Sequence, residues 1–360
     1  MNKIIRFLLT IAVSSALFAC SSTSEVPEGD RLYTGLEPIK YTDYESNEHF
    51  TATQEEIEAA LDCPPNGAIF GSSYYRSPFP YSLWIWNAFH ESESPIGKWV
   101  TKTFGNQPVL MSWVNPALRA SVAQSQLRNH GYFRGTVNYE EKPYSKHPKA
   151  KIAYHVDCGH LFTIDTVTYS NFPLNADSLI AASADEAKIK SGSPFDVVSL
   201  DAERNRLSNL FRNNGYYYYQ PSYASYRADT VNTPGKVKLD VELADNLPEK
   251  ALKKWYIGNI SINLRRTFME ELKDSIHYYF FHAYFNGKKP PVRPRVIMSD
   301  MKLRHGQPYD YSKHTESNNR IASKGMFSSV DFQFTPRDTT AACDTLDLLL
   351  NCVFDKPYDF

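Results

Sequence analysis

The eight residues from Lys236 to Leu243 alternate without a fault. Val237, Leu239, Val241 and Leu243 are apolar, and Lys, Asp or Glu stands between them. A period of two sends alternate side chains to opposite faces, so this pattern predicts a half-buried strand. Residues 150–157 repeat it with Ile152, Tyr154 and Val156, and residues 346–354 repeat it more loosely. Each of these strands has a companion upstream, at 135–140, 216–226 and 327–334. The links between companions (142–149, 227–235, 335–344) are rich in Pro, Lys, Asn, Asp or Thr. Two extended runs across a polar link predict an antiparallel hairpin.

Upstream of each hairpin the period changes. Val197, Leu200, Leu207, Leu210 and Phe211 recur at helical spacing, which predicts a helix over 197–213. It runs into Gly215 and then four tyrosines. Glycine takes the left-handed conformation that ends a helix without a Cβ clash. The same joint occurs as Gly131-Tyr132-Phe133 and as Gly325-Met326-Phe327. A loop recurs before it: Gly192-Ser193-Pro194-Phe195-Asp196 matches Gly306-Gln307-Pro308-Tyr309-Asp310, with Gly105-Asn106-Gln107-Pro108-Val109 as a looser copy. Asp196 and Asp310 stand where a helix N-cap belongs. Opening strands are predicted at 32–41, 161–169 and 255–264, and further helices at 175–182 and 268–281.

The pattern therefore predicts an α+β chain of three β-α-α-β-β units, spanning 31–158, 159–246 and 253–356. The first is enlarged by an insertion at 64–105. Pro64, Pro65, Pro78 and Pro80 interrupt regular structure there, while Trp84, Trp86, Phe89 and Trp99 load it with aromatic surface. Such a load needs burial against the first unit, or else forms an exposed binding or membrane-facing patch.

The start of the chain adds a compartment. Lys3 and Arg6 precede twelve mostly apolar, uncharged residues, Phe7 to Phe18. That run is too short to span a bilayer and fits a signal peptide over 1–19. It leads into Leu17-Phe18-Ala19-Cys20, which resembles a bacterial lipobox and makes Cys20 the expected lipid-modified first residue. Residues 20–30 then read as a tether. In an exported chain Cys63, Cys158, Cys343 and Cys352 have three possible pairings, and separate buried thiols are an equal alternative.

Composition excludes more than it suggests. The formal net charge is −1, which gives no electrostatic case for nucleic acid. No Gly-x-Ser-x-Gly, His-Glu-x-x-His or P-loop is present, so the expectation is a non-enzyme without metal or cofactor. His147, His155 and His160 are the densest histidines but lack partners at ligand spacing. His277 and His282 read as packing or interfacial residues of the helix over 268–281. Lys288, Lys289, Arg293 and Arg295 read as a solvated loop, with phosphate or lipid head groups as the sharper option.

The order of these features resembles the POTRA domains of the outer-membrane-assembly family that includes BamA and TamA. The lipobox, the opening Val26-Pro27-Glu28-Gly29-Asp30-Arg31-Leu32-Tyr33 and the insertion from Pro64-Pro65-Asn66 to Trp86-Asn87 are similar to its Bacteroidetes lipoprotein branch, TamL. The resemblance implies an outer-membrane lipid anchor and periplasmic domains that pair with extended client polypeptides through sheet edges. It also implies a periplasm-spanning TamB-like partner and, in the family, a β-barrel after the position of residue 360, where this sequence stops, either as a shortened chain or as a barrel-less paralogue. Two other classes stay open: a lipid-anchored surface protein that binds glycan or protein through 67–105, and an envelope hydrolase.

Overall fold

The structure, a computed structural model, describes residues 22–355. The signal segment and Cys20 lie outside the described residues. The first sheet is built on β4 (Lys149–Asp157), with β3 (Thr136–Pro143) antiparallel on one side. On its other side β1 (Leu32–Leu36) and β2 (Lys40–Thr42) run parallel to it. The single opening strand predicted at 32–41 is thus two strands, parted at Glu37-Pro38-Ile39. Proline lacks the N–H that a continuous ladder needs. The helices α1 (Glu48–Leu61) and α5 (Pro116–Asn129) belong to the same core, with Ile57, Leu61, Ala123 and Leu127 buried among Tyr33, Ile152, Tyr154 and Val156. Asn47 caps α1, its side chain accepting from Phe50 N at 2.8 Å.

The insertion is more regular than its prolines suggested. It holds α2 (Tyr81–Phe89) and α3 (Pro95–Phe104), with the single turn α4 (Met111–Val114) after it. Pro80 precedes α2 and Pro95 opens α3, positions at which a helix has no N–H to lose.

The second sheet has the order β5-β7-β6, with β5 at Thr163–Ser170, β6 at Ala224–Asp229 and β7 at Lys236–Leu243. Its helices are α6 (Leu174–Ala182) and α7 (Val197–Asn213). The strand predicted from 216 begins only at Ala224. Tyr216 and Tyr219 instead lie in turns, their rings 5.7 and 4.6 Å from Phe211, because burying aromatic rings against the helix outweighs extending the chain.

The third sheet runs β11-β12-β8-β10-β9. Its strands are β8 (Tyr256–Arg265), β9 (Asp274–Tyr278), β10 (Phe281–Phe285), β11 (Phe327–Pro336) and β12 (Thr345–Phe354). Two helices, α8 (Pro294–Asp300) and α9 (Tyr311–Ala322), complete it. The helix predicted over 268–281 is absent: β9 and β10 form a hairpin there. Short aromatic runs such as Ile276-His277-Tyr278 and Phe281-His282-Ala283 fit either period, and alternation wins because Phe281, Ala283 and Phe285 enter the core. His277 and His282 are consequently cross-strand partners, with ring centroids 4.6 Å apart.

The described residues form two compact units. The first comprises the residues up to Thr163 with Gly192–Val197 and Thr233–Lys236, and the second comprises the remainder. Cys63, Cys158, Cys343 and Cys352 are all free thiols. Burial pushes the thiols of Cys158 and Cys352 up to about 12, so both are protonated and inert.

Candidate functional site: joints and open sheet edges

Each glycine joint takes a positive φ: +86° at Gly131, +103° at Gly215 and +67° at Gly325. At the first, Tyr132 N donates to Leu127 O at 2.9 Å, and at the second Tyr216 N donates to Phe211 O at 3.1 Å. These six-to-one bonds satisfy the last helical carbonyls in the manner of a Schellman motif. Both tyrosines are buried.

The two joints are covered in one way. Phe162 N donates to Gly131 O at 3.0 Å, and Phe195 N donates to Phe162 O at 2.9 Å. Within the second compact unit, Trp255 N donates to Gly215 O at 2.9 Å, and Tyr309 N donates to Trp255 O at 2.8 Å. Aromatic rings follow the backbone. Phe133 lies 5.1 Å from Phe162 and 4.9 Å from Phe195, while Tyr217 lies 4.8 Å from Tyr309 and Tyr218 5.1 Å from Trp255. A polar pin stands beside each: His130 Nδ1 is 3.2 Å from Asp196 Oδ1, and Ser312 N donates to Asn213 Oδ1 at 3.0 Å. Around Gly325 the space a Cβ would enter is open.

The repeated proline loops have a second use. Leu110, Pro194 and Pro308 make antiparallel bridges to Leu32, Thr163 and Tyr256, at the start of β1, at the first residue of β5 and at the first of β8. The loop thus meets its own opening strand in all three repeats. Asp310 does cap α9, accepting from Lys313 N at 3.1 Å. Reading these loops for caps alone overlooked Phe195 and Tyr309, although the shared Pro-aromatic-Asp was visible. Tyr309 is wholly buried, and that burial holds its hydroxyl far above the usual tyrosine range.

Sheet edges offer an extended hydrogen-bonding surface suited to a flexible chain, and among the described residues they differ. The β1 edge is covered by the insertion, with Leu36 N donating to Ser73 O at 2.8 Å and Tyr33 N to Val109 O at 2.9 Å. β8 is covered by β10. β3 carries Glu140, Glu141, Lys142 and Pro143, residues that blunt an edge. β11 is ten residues long, with Val330, Phe332 and Phe334 half-buried, Asp331 its only charge, and its proline at the last position. In an antiparallel pair alternate residues of an edge strand point their N–H and C=O away from the partner. Facing away from β12, β11 is the longest such template among the described residues.

The predicted tryptophans lie on or beside the insertion's helices. Trp84 and Trp86 are half-buried, Trp84 within 6.0 Å of Phe79 and 5.5 Å of Tyr81, and Trp86 stacked 5.6 Å from His90. Trp99 is 60% exposed. No group of three His, Cys, Asp or Glu among the described residues is placed to hold a metal. No described helix is long and apolar enough to cross a membrane.

No family model matches the sequence, and no curated protein matches it. Solved structures do. POTRA domains 3–5 of BamA from Haemophilus influenzae align at 10% identity, covering 92% of this chain and all of that one, with a TM-score of 0.40. POTRA1–3 of Omp85 from Anabaena align at 12% identity over 92% of this chain and 98% of that one, at 0.26. BamA from Haemophilus ducreyi lacking POTRA domains 1–3 aligns at 10% identity over 54% of this chain but only 30% of that one, at 0.37. These are likenesses of fold.

Proposed function

We propose that this chain is a non-enzymatic, POTRA-type scaffold of an outer-membrane protein assembly or translocation factor, anchored to the outer membrane through lipid on Cys20. Its domains lie in the periplasm, where they bind extended client polypeptides by strand addition. The observation that carries the reading is the long, weakly charged edge of β11, at one end of a sheet whose other end is the five-residue strand β9. Backbone hydrogen bonds along such an edge are tolerant of sequence, which suits a factor with many clients. The repeated joints support it, because they let small sheets be strung in series without long linkers. A periplasm-spanning partner of the TamB kind is part of the same proposal.

A photo-crosslinking residue placed at Ser329, Asp331 or Gln333 of the full chain in cells tests it. Capture of outer-membrane polypeptides from these positions, and not from Lys313 on α9, is expected. Equal capture from both places, or none, would contradict the reading. Mass spectrometry of the mature amino terminus tests the lipid separately.

A further inference from the structure

The insertion leaves one feature unused by strand pairing. α2 and α3 lie antiparallel, tied where Asn106 N donates to Ser82 O at 3.0 Å. The turn between them is tight. Ser94 caps α3, accepting from Gly97 N at 3.0 Å, and a Cβ on Gly97 would come within 2.2 Å of Ser92 Oγ. What this small hairpin shows to solvent is apolar. Tyr81, Phe89, Ile96, Trp99 and Phe104 are between 43% and 75% exposed. On α3, Ile96 and Trp99 are three residues apart and form a stripe, while Lys98 and Lys102 project along its flank and are exposed. An apolar stripe with Trp at its centre and lysines beside it is the composition of a helix lying in a bilayer interface. The indole sits at head-group depth there, and the lysines reach out to phosphate.

The tether indicates which surface covers it. Glu25 Oε2 lies 3.4 Å from Nε2 of His90, the residue that closes α2. Asp30 is held as well, accepting from Ser112 Oγ at 2.5 Å. The amino-terminal segment therefore meets the hairpin at His90 and α4 at Ser112 before it reaches β1. Cys20 stands five residue steps before Glu25, a span of at most about 18 Å even when fully extended. α3 itself is about 15 Å long. A lipid on Cys20 would hold His90 at the end of α2 within roughly 20 Å of the membrane it enters.

We propose that α2 and α3 form an interfacial membrane contact, and that the bilayer receiving the Cys20 lipid covers Ile96, Trp99 and Phe104. The choice of a bilayer over a protein partner rests on the lipobox reading. The lipid fixes only the end of the chain, and the hairpin adds an oriented apolar contact beside it.

The test uses the mature chain from residue 21 onward, made without its signal and therefore without lipid. It is floated with vesicles of phosphatidylethanolamine and phosphatidylglycerol. Unacylated chain should float, and Ile96→Ser/Trp99→Ser/Phe104→Ser should bind at least tenfold more weakly with an unchanged melting temperature. The single Trp99→Lys substitution should bind more weakly in the same way. Unacylated chain that stays at the bottom of the gradient, or a triple variant that floats equally well, would overturn the proposal, including the case in which the hairpin serves a protein partner. Intact-mass measurement of native protein reads the lipid on Cys20 independently. An unmodified Cys20 would defeat the anchor while flotation still decides the hairpin.

Discussion

Gly131 and Gly325 stand at the same point of their repeats, yet one substitution will separate them. At Gly131 an added Cβ would lie 2.7 Å from Phe195 O, on a backbone with φ +86°. At Gly325 it meets nothing within 4 Å, so only the strain of a left-handed residue remains. Gly131→Ala should cost on the order of 3 kcal/mol and Gly325→Ala about 1 kcal/mol. Paired denaturant titrations of the two variants read the difference, and equal costs would show that the joint is not a contact. Glu203 is another single residue with a large expected effect. It is wholly buried and meets Arg206 Nη2 at 2.6 Å, Tyr169 Oη at 2.8 Å and Lys188 N at 2.8 Å. Burial alone would raise its pKa, but these donors outweigh it and hold the carboxyl below the usual range. Glu203→Ala strands the guanidinium and should cost about 3–5 kcal/mol. His314 gives the pH dependence. Burial, and then the charge of Arg212, push it down to about 4. A value lower in the folded than in the unfolded state means its contribution is complete above about pH 6.5 and is lost as pH falls toward 4. Thermal melts should therefore decline over that range by on the order of 2 kcal/mol, and His314→Phe should flatten the decline.

Among the elements, the joint coverings carry the clearest prediction. Tyr309 is wholly buried, with Tyr217 at 4.8 Å and Phe334 at 5.4 Å. Tyr309→Ala should cost about 3–5 kcal/mol, and Tyr309→Phe much less, because ring burial rather than the hydroxyl supplies the energy. Chemical denaturation of the full chain measures both. Element by element, the sequence was legible where one period ran without rivals. The helix over 197–213 and the strand over 236–243 match α7 and β7 end to end. It misled where aromatic residues fit both periods, as in 268–281, since only the core tells which faces are buried. It was silent on α2 and α3, because the prolines around them read as breakers until seen at helix starts. The candidate site was half visible. Gly131, Gly215 and Gly325 could be counted along the chain. Their coverings, Phe162 with Phe195 and Trp255 with Tyr309, join residues more than 30 apart and needed coordinates. The β11 edge needed the strand order, which no local pattern contains.

For the described residues as a whole, the sheets differ in what covers their edges. The first surrenders its β1 edge to the insertion and turns an aromatic hairpin outward. The third closes one side of β8 with β10 and leaves β11 open. Near-neutral net charge gives no long-range steering, so the proposed capture of a client would rest on short-range backbone pairing. That is the central claim, and amide hydrogen exchange reads it directly. The full chain is exchanged with and without an excess of an extended peptide from an outer-membrane strand. The account predicts that amides of residues 328–335 become protected, in alternation along β11, as their outward N–H groups acquire partners. Binding that left β11 unprotected and slowed exchange around Trp99 instead would contradict it.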